Sequence, residues 1–329
     1  FRSVLIWRWE EVQVKAMRAK KTNKSVKPYE KGAFNIFNTI GMCIIMLVTI
    51  YPMWYALINS LNSGDALTKG YSFFLPEKFT LASWKLVLGD AEIINALWIT
   101  GSRTIIVTIG STLITAMFAY GFSRPYLYGR KFFAGLGFVS MYFSGGTIAT
   151  FILVNWLKLY NTYWVYIIPA LFGGFYNVII YNANFKAIPE SLFESAKIDG
   201  ASEFKIFFSI VLPLSKPVLA ALGVFTACGV WNDYGTTLFY TQSSSLQTLA
   251  NYTLKLIKSS QAVEQLAATV MQSNQSVSAL VNSSMGSGET TSKTVELAAM
   301  VLTTIPVVVA YPFVQKFFTK GVMVGSVKG

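Results

Sequence analysis

Six long apolar runs constrain this chain more than any other feature of its sequence. They lie near residues 36–60, 103–123, 132–156, 163–184, 217–235 and 295–314, each bounded by charge, Pro, Gly or Asn. A helix needs about 20 mostly apolar residues to cross the hydrocarbon core of a bilayer, and each run is close to that length. Strands of a transmembrane barrel alternate apolar and polar residues, whereas a stretch such as IIMLVTIYPMWYALI does not alternate. The expected fold is therefore all-α, a polytopic membrane protein with six transmembrane helices. Composition agrees: 53% of the 329 residues are hydrophobic and 13% are charged, which is more apolar than an ordinary soluble domain.

The net charge of +12 is a topology signal. Nine Lys and Arg residues lie between Arg2 and Lys31, ahead of the first run. Arg124, Arg130 and Lys131 join the second and third runs, and Lys316, Lys320 and Lys328 follow the last. The positive-inside rule places all three segments in the cytoplasm, which argues against nucleic acid as a partner and for membrane lipid. Six spans with both ends inside also put the connection between spans four and five inside. The expected organisation is a basic N-terminal segment over 1–33 and a first helix with an external segment over 34–94. A five-helix core follows over 95–314, with an inner loop at 186–213 and an outer loop at 236–294, and then a tail over 315–329. The first segment carries Trp7, Trp9, Glu10 and Glu11 and lacks a small-residue cleavage site, so it does not read as a signal peptide. An interfacial helix on the anionic inner leaflet and a mobile basic tail are both open to it. Cys43 and Cys228 fall inside spans and read as packing residues.

Several chemistries are excluded. The chain has no histidine, which removes His-based acid–base catalysis and His metal ligation. Two isolated Cys residues cannot build a zinc site, and no Gly-Lys pair exists from which to make a nucleotide-binding loop. The expectation is a non-catalytic subunit that binds no cofactor or metal. Asp233 and Glu296, at the ends of spans five and six, read as interfacial and solvated. Neutral polar groups are commoner in the spans: Asn155, Asn177, Asn182 and Asn232 lie near Tyr142, Trp156, Tyr176 and Trp231. Amides beside aromatic faces suit a sugar, with its hydroxyl edges and C–H faces, although aromatic belts and interhelical amides have the same composition. The candidate substrate path is Tyr142, Asn155, Asn177, Trp231, Asn232 and Asp233.

The outer loop has two halves. Leu246, Leu249, Leu254, Ile257, Leu266 and Val270 recur at helical spacing and predict one or two short amphipathic helices. Residues 272–292 turn to Ser, Asn, Gln, Thr and Gly, a polar tip. A loop of this length reads as a docking surface.

Between spans four and five lies a polar island, PESLFESAKIDGASEFKIFFSIVLP, from Pro189 to Pro213. Ser191 to Ile198 and Ser202 to Val211 each have the length of a short helix. Asp199, Gly200 and Ala201 join them, and Gly permits a sharp reversal. The expected product is a two-helix knob with Leu192, Ala196, Ile198, Phe204, Phe207 and Phe208 available to pack or dock. A polytopic chain with a rigid inner knob and no ATPase of its own points to energy supplied by a partner.

The same residues carry a resemblance. Glu194, Ser195 and Ala196, then Gly200, Ile210, Leu212 and Pro213 at the spacing found here, resemble the EAA signature of ABC-importer permease subunits, with Ser195 in place of the usual second Ala. The segments FTLASWKLVL (79–88), SGGTIATFILVNWLKLYNTYWVYIIP (144–169), GVWNDY (229–234) and YPFVQKFFTKGVMVGSVKG (311–329) look like the maltose-type carbohydrate branch of that family. The resemblance implies a type I ABC importer permease fold and a sugar, in particular an oligosaccharide, as cargo. It also implies a second permease subunit, two ATPase subunits that hold the ATP and Mg, and an extracytoplasmic solute-binding protein. On the same basis Glu194, Ser195, Ala196, Asp199, Gly200, Ala201, Ile210, Leu212 and Pro213 would couple to an ATPase. Gly321, Gly325, Lys328 and Gly329 would reach the ATPase interface, and the outer loop would enter the binding protein's cleft.

A self-contained secondary transporter or channel is the rival within transport, and it would want internal repeats or a central charged pair, neither of which the sequence displays clearly. A membrane enzyme would want convergent His, Asp or Cys groups. A sensory or scaffold subunit could share the spans and the knob, and solute uptake in vesicles separates it from an importer.

Overall fold

The computed structural model describes residues 33–273 and 288–325, so the N-terminal segment, most of the outer-loop tip, Lys328 and Gly329 lie outside the described residues. The chain divides into two units, one up to Trp54 and one from Tyr55 onward. Among the described residues the regular structure is helical, apart from an isolated bridge between Asn62 and Phe79.

Helix α1 is Ala33–Ser60. From Ile40 to Val48 it is apolar on every side, with Ile40, Ile44, Ile45, Leu47 and Val48 all exposed, the pattern of a helix solvated by lipid. Thr49 donates its hydroxyl to the Ile45 carbonyl, which satisfies that hydroxyl without water.

From Tyr55 onward the order is α2 (Gly64–Lys69), α3 (Ala82–Gly89), α4 (Ala91–Ser123), α5 (Arg130–Tyr142), α6 (Gly146–Trp156), α7 (Ile168–Leu171) and α8 (Phe175–Lys186). Then come α9 (Glu190–Ile198), α10 (Glu203–Ile206), α11 (Leu212–Leu214), α12 (Lys216–Asn232), α13 (Gly235–Tyr240), α14 (Leu249–Ser273) and α15 (Ser292–Gly325). The central element is α4, 33 residues long, started by Asp90, whose carboxylate accepts from the Glu92 amide at 2.8 Å. Helices α8 and α12 pack along it, and α15 packs on α12 and α14. Gly223 of α12 faces Thr108 and Thr112 of α4, where a Cβ would meet the Thr112 hydroxyl at 3.5 Å. Small residues at that crossing let the two backbones approach closely.

The six expected spans take two forms. Phe34–Ser60, Ala91–Ser123 and Ser292–Pro312 are continuous helices, and three bent pairs supply up to three more spans. The expected third span, 132–156, is not continuous: α5 and α6 meet at 113°. Gly146 sits at φ +76° after Ser144 and Gly145, and a right-handed helix cannot pass through a left-handed residue. The fourth bends by 45° at Phe172 to Gly174. The fifth follows an 81° bend at Ser215, between Pro213 and Pro217, where missing amide hydrogens break the helical ladder. Two boundaries also move. Helix α4 starts at Ala91 rather than at 103, and α15 runs through Pro306 and Pro312 to Gly325, where a tail was expected from 315.

The segment after α1 is held by two buried asparagines. The Asn62 carbonyl oxygen accepts from the Ser63 and Lys78 amides, and its Nδ2 donates to Ser72. Asn59 donates to the Ser72 carbonyl and accepts from the Ser72 amide. Asn62→Ala removes all three of its bonds at a fully buried site and is expected to cost about 2–3 kcal/mol, read as a lowered midpoint of thermal unfolding in detergent. An unchanged midpoint would remove Asn62 as the organiser of this segment.

The outer loop returns onto the same segment. Gly64 and Asp65 donate their amides to the Glu289 and Gly288 carbonyls, and the Gly288 amide donates to the Asp65 carboxylate. The amphipathic stretch forms the single 25-residue helix α14 rather than one or two short ones. Its start is pinned to α4, with the Leu249 amide on the Thr100 hydroxyl at 2.8 Å and the Tyr252 hydroxyl on Asp90 at 2.6 Å. Burial, together with the bond to Asp90, holds the Tyr252 hydroxyl well above the usual tyrosine range, so this tie survives alkaline conditions that ionise an ordinary tyrosine.

Candidate functional site

The polar island folds as a knob. Helix α9 ends in a left-handed turn: Gly200 has φ +74°, its amide donates to the Lys197 carbonyl at 3.0 Å, and the Ala201 amide reaches back to the Ala196 carbonyl at 2.9 Å. This bond pair is the Schellman arrangement, which uses glycine because a Cβ penalises the left-handed region. Ser202 then caps α10 by accepting from the Lys205 amide. After Ile206 the chain widens into a π-helical turn over Phe207–Val211, closed by the Leu212 amide on the Phe207 carbonyl. Pro213 follows within the next turn, and a widened turn accommodates a ring that would press on a regular helix.

The knob is continuous with the main core. Phe193, Ile206, Phe207 and Val211 are buried with Ala116, Ala119 and Tyr120 of α4 and with Val178, Tyr181 and Phe185 of α8. Ala196, Ala201, Ile210 and Leu212 pack on this cluster. A polar clamp reinforces the joint: Glu203 accepts from the Tyr120 hydroxyl at 2.5 Å and the Tyr126 hydroxyl at 2.7 Å, and it pairs with Lys197 at 3.1 Å. Arg124, at the end of α4, is 3% exposed. Its guanidinium lies 3.8 Å from the Phe193 ring centre and 4.9 Å from that of Tyr120, and it reaches Glu190 at 3.6 Å.

Facing outward, Ile198 is 86% and Phe204 67% exposed, with Leu192 and Phe208 also exposed. Glu194, Ser195 and Asp199 are exposed beside them, and so is Pro213. Of the six apolar residues expected to pack or dock, Phe207 and Ala196 face inward and the other four face out. The sequence reading placed Arg124 among the basic residues of an inner connection; the structure buries it under the knob. Its position immediately after an apolar run and before two aromatic residues, Tyr126 and Tyr128, was the available signal.

A second polar centre lies farther along α4. Arg103, 1% exposed, pairs with Asp233 at 3.3 Å and donates to the carbonyls of Val230 and Asp233 at 2.7 and 2.5 Å. The guanidinium lies over the Tyr166 ring, and the Tyr166 hydroxyl bonds Thr237 and the Leu246 carbonyl. The chain thus has a buried cation paired with a partly exposed carboxylate, which its sequence did not reveal, so Asp233 is engaged rather than simply solvated. Arg103 is the only cation within α4, and reading the helix as starting at Arg103 concealed its depth.

Beside this pair lies a cavity of about 360 Å³ whose wall includes Arg103, Thr150, Tyr166, Asp233, Thr236 and Tyr240. Of the residues selected from sequence as a path, Asp233 is the one on this wall. Trp231 is buried, its indole donating to the Thr303 carbonyl of α15 at 2.9 Å. Asn232 donates to the Cys228 carbonyl of its own helix. Tyr142 and Asn155 are exposed on α5 and α6, and Asn177 is half-buried on α8. The structure does not bring these six residues together. Glu296 is buried and pairs with Lys293 at 3.1 Å, so it too is less solvated than expected. Gly321 and Gly325 fall in the last turns of α15.

Against this geometry, residues 31–324 match the family model described as binding-protein-dependent transport system inner membrane component. The chain belongs to that family. It is an integral inner-membrane permease subunit of a binding-protein-dependent ABC importer. Among its relatives, Protein LplC of Bacillus subtilis (strain 168) is 33% identical over 90% of this chain and 95% of its own length. The polygalacturonan/rhamnogalacturonan transport system permease protein YtcP of the same organism is 34% identical over 88% of this chain and 96% of its own. In structure the permease is similar to a chain of a bacterial ABC transporter involved in the import of the acidic polysaccharide alginate, with a TM-score of 0.73 at 27% identity, covering 87% of this chain and 96% of that one. The bent pairs of this permease therefore belong to a fold shared with a known importer subunit.

Proposed function

We propose that this permease forms one half of the translocation path of an ATP-driven oligosaccharide importer, working with a second permease chain, two ATPase subunits and an extracytoplasmic solute-binding protein. ATP and Mg would be held by the ATPases, and this chain would contribute the surface on which they act. The carrying observation is the knob. It is locked to α4 by Arg124, Glu203 and the Phe193–Phe207 cluster, yet it presents Leu192, Ile198, Phe204 and Phe208 outward. Apolar side chains on an otherwise polar two-helix element mark a docking surface, and a rigid joint lets movement of the docked partner reach the spans. Glu194, Ser195, Asp199 and Gly200 lie on or beside this surface, and Gly321 to Gly329 would meet the same partner.

Orientation follows from charge: the knob, Arg124, Arg130 and Lys131 would face the cytoplasm together with both termini. On the opposite side, α13, α14 and the polar tip would meet the binding protein. Alternating access would be a two-state change biased by ATP and by the loaded binding protein. Sugar as cargo is supported by the named substrates of the relatives and by the hydroxyl-rich and aromatic wall beside Arg103.

Purification in mild detergent from the native membrane, followed by an ATPase assay and uptake of galactotriose, maltotriose and trigalacturonate into vesicles, tests this reading. The expected result is co-purification of an ATPase and a second permease, both lost when Glu194 and Gly200 are replaced, and uptake of at least one sugar. A lone chain without ATPase, under conditions that preserve other complexes, would overturn it.

A further inference from the structure

No residue of α5 is buried, although the helix packs on α8. The two helices meet where Gly137 faces Phe175, and a Cβ at Gly137 would overlap that ring. Around this contact a groove of about 440 Å³ opens between α4, α5 and the bend at Phe172–Gly174. Phe118, Phe133, Leu136 and Phe172 form much of its wall and are each between 46% and 72% exposed, so the wall can be reached from outside the chain. Of the two hydroxyls on the wall, that of Ser140 donates to the Gly137 carbonyl of its own helix at 2.8 Å, and Thr115 is 5% exposed. The reachable surface is therefore apolar.

The groove ends in positive charge. Phe133, Leu136, Gly137 and Ser140 lie at helical spacing on one face of α5, and Arg130 continues that face one turn earlier. Its guanidinium lies 5.6 Å from the ring centre of Phe122, one turn beyond Phe118 on α4, and Lys131 is exposed beside it. The sequence has no acid between Glu92 and Glu190, and no carboxylate pairs with either cation among the described residues. Ser140 lies ten positions after Arg130, about 15 Å along the helix. That is the depth of one leaflet of a hydrocarbon core about 30 Å thick.

An apolar groove one leaflet deep, with two unpaired cations at the surface that the positive-inside rule assigns to the cytoplasm, matches an amphiphile with an anionic head. A helix of a second permease chain, about 10 Å across, would lie over such a groove rather than in it, and would have to bring its own acids to offset the cations it covered.

We infer that the groove holds one anionic phospholipid of the inner leaflet. Its phosphate sits on Arg130 and Lys131, and one acyl chain lies between α4 and α5 against the Phe172–Gly174 bend. The lipid thereby braces the junction of α4, α5 and the bent fourth span. Neither the sugar nor the ATPase reading is needed for this site.

The test places the intact complex in nanodiscs of equal parts phosphatidylcholine and phosphatidylglycerol, with a trace of either lipid carrying a diazirine on its acyl chain. Photolysis and peptide mapping should give adducts at Phe118, Leu136 or Phe172 in a yield about tenfold or more higher with the phosphatidylglycerol probe. The double variant Arg130→Gln, Lys131→Gln should lose that preference. Ser140→Trp fills the groove with both charges in place and should lower the phosphatidylglycerol adducts as far. Equal labelling by the two probes in the wild type would mean ordinary boundary lipid and overturns the site. Absence of adducts from both would mean that protein covers the groove and overturns it too. A preference that persists in the double variant overturns the role given to Arg130 and Lys131. Should a variant fail to assemble, the wild-type ratio of the two probes decides.

Discussion

Arg124→Ala is expected to detach the knob from the spans and abolish uptake in the assembled complex while the chain still enters the membrane. The side chain is buried between Phe193 of the knob and Tyr120 of α4. Its removal deletes both cation–π contacts and opens space next to the hollow lined by Met117, Tyr120, Phe204 and Phe207. Loss of packing plus stacking amounts to about 2–4 kcal/mol of docking free energy. The ion pair with Glu190 adds little, because Glu190 is 60% exposed. Amide hydrogen exchange over Phe193–Ile206 should accelerate by about two orders of magnitude, since opening of the knob becomes that much easier. Arg124→Lys should fall between wild type and Ala, keeping the charge without the stacking plane. Unchanged exchange in Arg124→Ala would show that the apolar cluster alone holds the knob, and coupled transport in that variant would show that the joint need not be rigid.

Gly200→Val should also abolish uptake, for a different physical reason. No heavy atom lies within 4 Å of where a Cβ would sit at Gly200, so the substitution clashes with nothing across space. The penalty comes from the φ of +74°, which a β-branched residue adopts at a cost of about 1–2 kcal/mol or more. Relief of that strain would unwind the turn, break the two Schellman bonds and swing Ile198 and Phe204 out of register on the docking surface. Gly200→Asn is the control, since Asn tolerates the left-handed region, and it should retain substantial uptake. Normal uptake in the Val variant, with the chain at wild-type level in the membrane, would count against a fixed knob geometry.

These two residues show how unevenly the sequence discloses such a site. Gly200 was legible because the requirement is local: a glycine between two short helical segments, flanked by prolines, has few other uses. Arg124 was read as one more inward-facing charge because its burial depends on Phe193, which lies far along the chain. The knob's division into inward Phe207 and outward Phe204 and Phe208 likewise required the α4 face on which it sits.

The spans follow the same division. Apolar runs fix the helical class, and Gly145-Gly146, Gly173-Gly174 and the pair Pro213 and Pro217 mark every bend. Their angles of 113°, 45° and 81° depend on what packs against each half.

The sequence by itself determined that the chain spans a membrane as helices, that it carries a glycine-turned knob, and that it lacks the histidines and nucleotide loop of an enzyme. Those properties are set by residues a few positions apart. Tertiary structure alone decided that Arg103 meets Asp233 across 130 residues of chain and that Glu203 accepts from Tyr120 across 83. It also decided that a cavity opens beside Arg103 and Asp233, against Thr150 and Val154 of the bent third span. Burial turns an ordinary basic residue into a buried cation, and burial is a property of the neighbours that packing brings together.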